Sequence, residues 1–146
     1  YISWQEGKAR TLQLVDQIID GIPIMGSIAA GGLIETFSDV QETLDVSNVL
    51  QKKGIFALTV NGDSMIDAFI AHGDMVLMEP IKDPFNIKNG TIVSALAPGL
   101  GTTLKYFVKR KNKIYLEAAN PAYDPIVLDP TEVVIQGKLL AVWRKV

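Results

Sequence analysis

The chain has no cysteine and one histidine, His72. Without thiols there is no disulfide, no thiolate metal site and no cysteine nucleophile. One imidazole cannot build a multi-histidine metal site, so any general base other than His72 has to be a carboxylate or a lysine. Long apolar runs are also lacking, and none approaches the ~20 residues that a membrane-crossing helix needs. The opening Tyr1-Ile2-Ser3-Trp4-Gln5-Glu6 has neither the basic nor the apolar region of a secretory signal, and a cytoplasmic location is expected. Positive charge is not in excess: 14 Lys and Arg against 16 Asp and Glu leave a net −2. That argues against these residues forming the main nucleic-acid surface, which would be basic. No metal and no cofactor are expected.

What is present is a chain of 146 residues, 48% apolar and 21% charged, long enough for one domain with a real core. It opens without an initiator methionine, and a piece of a longer protein is expected. Residues 1–15 read as a hairpin, with Ile2 and Trp4 alternating with polar residues before the turn Gln5-Glu6-Gly7-Lys8. Residues 16–21 are a linker of mixed acidic and apolar character. Ile22 to Gly26 is extended because Pro23 disfavours helix before it. Ser27-Ile28-Ala29-Ala30-Gly31-Gly32 is a mobile stretch of small residues that lets another backbone come close.

From Gly54 on, short β-branched and aromatic runs alternate with turn formers. The runs are Ile55–Val60, Met75–Met78, Thr91–Leu96, Thr103–Val108 and Ile114–Leu116; the turns include Asn61-Gly62, His72-Gly73-Asp74, Asn89-Gly90, Pro98-Gly99 and Lys111-Asn112. Val133–Val146 closes the chain as a long apolar strand with a bulge expected at Gly137. Only Ser64–Ala71 and Asp45–Lys52 look helical. The fold class is mostly β, built from hairpins.

Gly62-Asp63-Ser64-Met65 lies where the strand Ile55–Val60 gives way to a short helix. A serine there has an exposed hydroxyl beside helix-terminal N–H groups, orphan donors suited to an oxyanion. On local sequence alone an N-cap role is the simpler account of Ser64. A serine nucleophile needs a base. His72 sits in a Gly-Asp turn, which turn polarity explains. Lys105 lies in Thr102-Thr103-Leu104-Lys105-Tyr106, where strand alternation puts Thr103 and Lys105 on one face and Leu104 and Tyr106 on the other. A lysine in an apolar cleft loses solvation and becomes easier to deprotonate; a lysine on a half-exposed strand fits the same pattern. The basic run Lys109-Arg110-Lys111 with Lys113 reads as a solvated hairpin tip, and Asn120-Pro121-Ala122-Tyr123-Asp124-Pro125 as a turn without a catalytic role.

Taken in order, these pieces resemble the LexA-like family of self-cleaving proteins, over essentially the whole chain. Ala29-Ala30-Gly31 resembles the cleavage site, Val60-Asn61-Gly62-Asp63-Ser64-Met65 the nucleophile motif, and Thr102-Thr103-Leu104-Lys105 the strand bearing the general base. Gly73-Asp74, Lys88-Asn89-Gly90 and Asn120-Pro121 with Pro125-Ile126 match the family's turns. Residues 1–14 are similar to the wing of the winged helix-turn-helix in the LexA branch.

The resemblance implies a LexA/signal peptidase-like β-fold of hairpins and a partly closed, barrel-like sheet with few short helices. Residues 1–15 would be a remnant of a DNA-binding domain, and 22–146 a peptidase and dimerisation domain with a cleavage loop at 26–35. It implies a serine endopeptidase that cuts its own Ala30–Gly31 bond, with Ser64 as nucleophile, Lys105 as base, and Thr103 and Met65 in support. It further implies a homodimer, activation by a RecA–single-stranded DNA filament, operator DNA bound through the N-terminal domain, and a role in the SOS response to DNA damage. A UmuD-like protein, a phage repressor and a non-catalytic dimerisation module are the alternatives; a signal peptidase would need a membrane segment. Asp63 stands where several relatives carry an uncharged residue, and it is expected to point to solvent.

Overall fold

The computed structural model describes residues 21–28, 34–36 and 42–146, with backbone alone at 28 and 34–36. The expected opening hairpin, the linker up to residue 20 and the Ala30–Gly31 bond lie outside the described residues. The chain divides into two units, Tyr1–Lys52 and Lys53–Val146.

The first unit contains two short antiparallel ribbons. Strand β1 (Ile22–Pro23) pairs with β4 (Thr43–Leu44), and β2 (Gly26–Ile28) pairs with β3 (Ile34–Thr36). The extended backbone at Pro23 is as the sequence predicts; the β2–β3 pairing is not, because three-residue strands containing glycine and serine carry no alternation to read. Helix α1 (Val46–Leu50) forms where a helix was predicted. Asp45 caps it, its carboxylate accepting from the Asn48 N–H at 3.1 Å and the Ser47 hydroxyl at 2.8 Å.

The second unit is one antiparallel sheet of seven strands: β5 (Phe56–Thr59), β6 (Met75–Pro80), β7 (Thr91–Ala97), β8 (Gly101–Arg110), β9 (Lys113–Glu117), β10 (Ile126–Leu128) and β11 (Val134–Trp143). Their order across the sheet is β10-β9-β8-β7-β11-β6-β5, so the sheet stays open between β10 and β5. Lys111 and Asn112, at φ 48° and 63°, make the two-residue turn between β8 and β9, the left-handed pair that matches strand twist. The expected bulge at Gly137 is present, as a register shift between Ile135 and Gly137 against β7. A Cβ at Gly137 would sit 2.9 Å from both the Glu79 carbonyl oxygen and the Phe56 ring, so only glycine lets β11 run this close to β6 and β5.

Alternation sends side chains to two faces and two cores. Met65, Ile70, Val76, Met78 and Ala119 form one, joined by Leu58, Leu104 and Tyr106. Val93, Ala95, Phe107, Ile114 and Leu116 form the other. Ser94, also fully buried, has a hydroxyl without a hydrogen-bond partner.

One expectation needs correction. Ser64–Ala71 is not a helix but a single 3₁₀ turn, Ile66–Ala68, ended by Phe69 in the left-handed region at φ 61°. Met65 and Ile70 are both 1% exposed. Five residues apart, they would lie about 140° apart around an α-helix, so burying both in one core requires a tighter, broken turn. Strand β10 has no counterpart among the expected strands, because Pro125 and Asp129-Pro130 bracket its three apolar residues.

Candidate active site

The serine-bearing turn is built from β5 outward. Past Thr59, Val60 is tied to the loop before β6: its N–H donates to the Asp74 carbonyl and its carbonyl accepts from Gly73 N–H, both at 2.8 Å. The chain then bends at Gly62, whose φ of 93° suits glycine and whose N–H donates to His72 Nδ1 at 2.9 Å. Thus His72 supports this turn through Gly62 and is not bonded to Ser64 among the described contacts. Met65 plunges into the core and anchors the far side.

Ser64 does not cap the 3₁₀ turn. Met65 occupies the cap position, without a side-chain bond, and the Ser64 hydroxyl faces Lys105 on β8. Lys105 is 7% exposed. Its Nζ donates to Ser64 Oγ at 2.8 Å, to Thr103 Oγ1 at 2.7 Å and to the Leu104 carbonyl at 3.1 Å. Thr103 and Lys105 therefore share a face, as alternation requires. Three acceptors match the three protons of an ammonium, yet all are uncharged, and none offsets the loss of water with an opposite charge. Burial accordingly pushes the Lys105 amine below the ordinary lysine range.

Around this pair lies a cleft of about 260 Å³, lined by residues 58–61 and by Ser64, Met65, Val76 and 102–105. A larger hollow of about 590 Å³ elsewhere is lined by Lys82, Lys88, Lys138 and the carboxylates of Glu79 and Asp83, with no serine. Of these two hollows, only the smaller joins a serine hydroxyl to a desolvated amine. Among the described residues no cluster of His, Cys, Asp or Glu could hold a metal, and no helix is long and apolar enough to cross a membrane.

Two clamps that local sequence did not reveal hold the turn. Arg144 reaches from the end of β11 to Asp74, with Nε 2.7 Å from Oδ1 and Nη2 2.6 Å from Oδ2, and also to the Phe69 carbonyl at 3.3 Å. Asp74 is 2% exposed and further accepts from Ala71 N–H at 2.9 Å. The Arg144 bonds, then the Ala71 N–H, hold its carboxyl at about 2. The second clamp is the loop after β9. Asn120 Nδ2 donates to the Asp63 carbonyl at 3.0 Å, the Tyr123 hydroxyl donates to the Asp63 carboxylate at 2.6 Å, and Asp67 N–H donates to the Ala119 carbonyl at 2.8 Å. Asp63 is exposed, as expected, but its carboxylate is engaged by Tyr123, and this contact raises the tyrosine pKa. The predicted role-free turn at Asn120–Pro125 thus grips the residue before Ser64.

A serine hydroxyl touching a desolvated amine in a cleft of a β-sheet is the equipment of a serine hydrolase. The chain belongs to the Peptidase S24-like family, whose model matches residues 23–140, and is of the serine peptidase, self-cleaving kind. It is similar to the "Transcription regulator LexA" of Synechocystis sp. (strain ATCC 27184 / PCC 6803 / Kazusa): 32% of residues are identical over 144, covering 99% of this chain and 71% of that protein.

Proposed function

We propose that this chain is the self-cleaving part of a LexA-type transcriptional repressor, cutting its own Ala30–Gly31 bond with a Ser64–Lys105 dyad. The observation that carries this is the 2.8 Å contact between Lys105 Nζ and Ser64 Oγ in a site that disfavours the ammonium.

In the neutral amine, the Leu104 carbonyl and Thr103 hydroxyl take up the two remaining N–H groups, which leaves the lone pair for the Ser64 O–H. Lys105 removes that proton as Ser64 Oγ attacks the Ala30 carbonyl carbon. The Ser64 N–H, which has no backbone acceptor among the described residues, is available to the oxyanion. The intermediate collapses by breaking the Ala30–Gly31 bond, and Lys105 returns its proton to the Gly31 amine. Water then hydrolyses the Ala30 ester. Because substrate and catalyst share one chain, proximity replaces binding affinity.

A repressor that always cut itself would be useless, so the loop is proposed to reside mostly away from Ser64, in equilibrium with a docked state. A RecA–single-stranded DNA filament favours the docked state, and cleavage relieves repression in the SOS response. The LexA relative supports the regulatory role. A homodimer is proposed to act through β11, where Val134–Lys138 carries β7 and Gly137–Trp143 carries β6. Beyond Lys138 no strand among the described residues occupies the edge opposite β6.

The test is intact-mass measurement during incubation from pH 6 to 11. Two fragments, Tyr1–Ala30 and Gly31–Val146, should form at a rate that climbs with pH and levels off below the ordinary lysine value of ~10.4. Ser64→Ala and Lys105→Ala should each stop the cut. A rate that saturates near ~6.5 and loses that saturation in His72→Ala would mark a histidine base and overturn the lysine mechanism.

A further inference from the structure

The peptide unit joining Asp63 to Ser64 is held by its oxygen. The Asp63 carbonyl accepts from Ile66 N–H at 3.2 Å, within the turn, and from Asn120 Nδ2 at 3.0 Å, from a loop 57 residues away. Asn120 is itself fixed, because its Oδ1 accepts from Ala122 N–H at 2.9 Å. That bond settles which end of the amide faces Asp63. The described residues include no cis peptide bond, and in a trans peptide the N–H points opposite to the C=O. Pinning the Asp63 oxygen toward Asn120 therefore turns the Ser64 N–H the other way.

We infer that Asn120 is a positioning residue for the oxyanion site: it locks the Asp63–Ser64 peptide plane so that the Ser64 N–H stands ready where charge develops. This rests on the reading of Ser64 as nucleophile. Ile66 alone is a weak lock, since its bond is made inside the same short turn and moves with it. Asn120 supplies an external reference, carried on a loop whose Ala119 is packed in the core and whose carbonyl takes the Asp67 N–H. Tyr123 grips the Asp63 side chain, not the peptide, so it steadies the residue without setting the plane.

The experiment compares wild type, Asn120→Ala, Asn120→Asp and Tyr123→Phe as full chains. It uses two readouts: the first-order rate of cutting at Ala30–Gly31, and the rate at which a fluorophosphonate labels Ser64. Asn120→Asp keeps the acceptor for Ala122 N–H and so keeps the loop, while removing the donor to Asp63. Both Asn120 variants should lower both rates by about 10- to 100-fold, less than the ~100- to 1000-fold lost with an oxyanion donor itself, because the Ser64 N–H remains. The pH at which cleavage levels off should not move, because the surroundings of Lys105 are untouched. Tyr123→Phe should stay within a few-fold of wild type.

An Asn120→Asp chain that cuts within twofold of wild type overturns the inference and leaves Ser64 standing. So does unchanged labelling with slowed cutting, which would place Asn120 in loop docking. A wild-type chain that neither cuts nor labels overturns the nucleophile assignment, and the inference with it.

Discussion

Lys105 illustrates how one side chain can work against the fold that houses it. Its amine is 7% exposed and has only neutral partners. The unfolded chain holds the proton up to the ordinary value of 10.5, while the folded chain releases it at lower pH. Between those two points the unfolded state binds more protons, so stability rises with pH across that window. Lys105→Met should therefore be more stable than its parent at pH 7, on the order of 1 kcal/mol, with the advantage shrinking toward pH 10. Urea unfolding of both in a Ser64→Ala background, which prevents cutting, measures this. A Lys105→Met gain that is absent at pH 7, or that grows with pH, would contradict the assignment of Lys105 as a desolvated amine.

At the scale of elements, strands were legible wherever period two and turn chemistry agreed. Thr91–Ala97, Gly101–Arg110 and Lys113–Glu117 have β-branched and aromatic residues and left-handed turn residues between them, and Gly137 announced its bulge. Elements of two or three residues, such as β2, β3 and β10, hold too little pattern, and the 3₁₀ turn was misread because its shape is set by the core that Met65 and Ile70 enter. Of the candidate site, the types of Ser64 and Lys105 were visible, but the contact between positions 41 apart is a product of the sheet. The grip of Asn120 and Tyr123 on Asp63 spans 57 and 60 positions, and nothing local signals it. Within β7, Ser94 is an apolar site filled by a polar residue: it is fully buried, and its hydroxyl is unpaired. Ser94→Ala removes that desolvation cost with little change of volume and should raise stability by about 1 kcal/mol. A lowered urea midpoint for this variant would mean the hydroxyl has a partner.

For the whole molecule, the end of the last strand and the approach to Ser64 are one structure. Arg144 closes the chain onto Asp74, and Asp74 shares a loop with the Gly73 and His72 contacts to Val60 and Gly62. The Asp74 carboxyl sits at about 2, down from 3.8, through Arg144 first. Its folded form resists protonation, so its contribution to stability is complete above about 3.8 and is lost as pH falls through about 2. Arg144→Ala should remove most of that protection, leaving the Ala71 N–H, shift the acid-unfolding midpoint to higher pH and slow self-cleavage. Circular dichroism from pH 6 to 1.5 checks the first effect, and an unmoved midpoint would deny the clamp its role.

The β2–β3 ribbon carries a different consequence. In sequence the Ala30–Gly31 bond lies between the paired residues Ile28 and Ile34, so the proposed cut would separate the two strands of this ribbon. Three residue pairs there, and two more between β1 and β4, would then join separate molecules in place of neighbouring stretches of one chain. Ribbons this short do not persist alone in water. Once apart, the pieces would dilute, and re-forming the bond would need a chance encounter of the two ends. If the proposed cut occurs there, loss of the bond would be a one-way event, a latch reset only by making new protein.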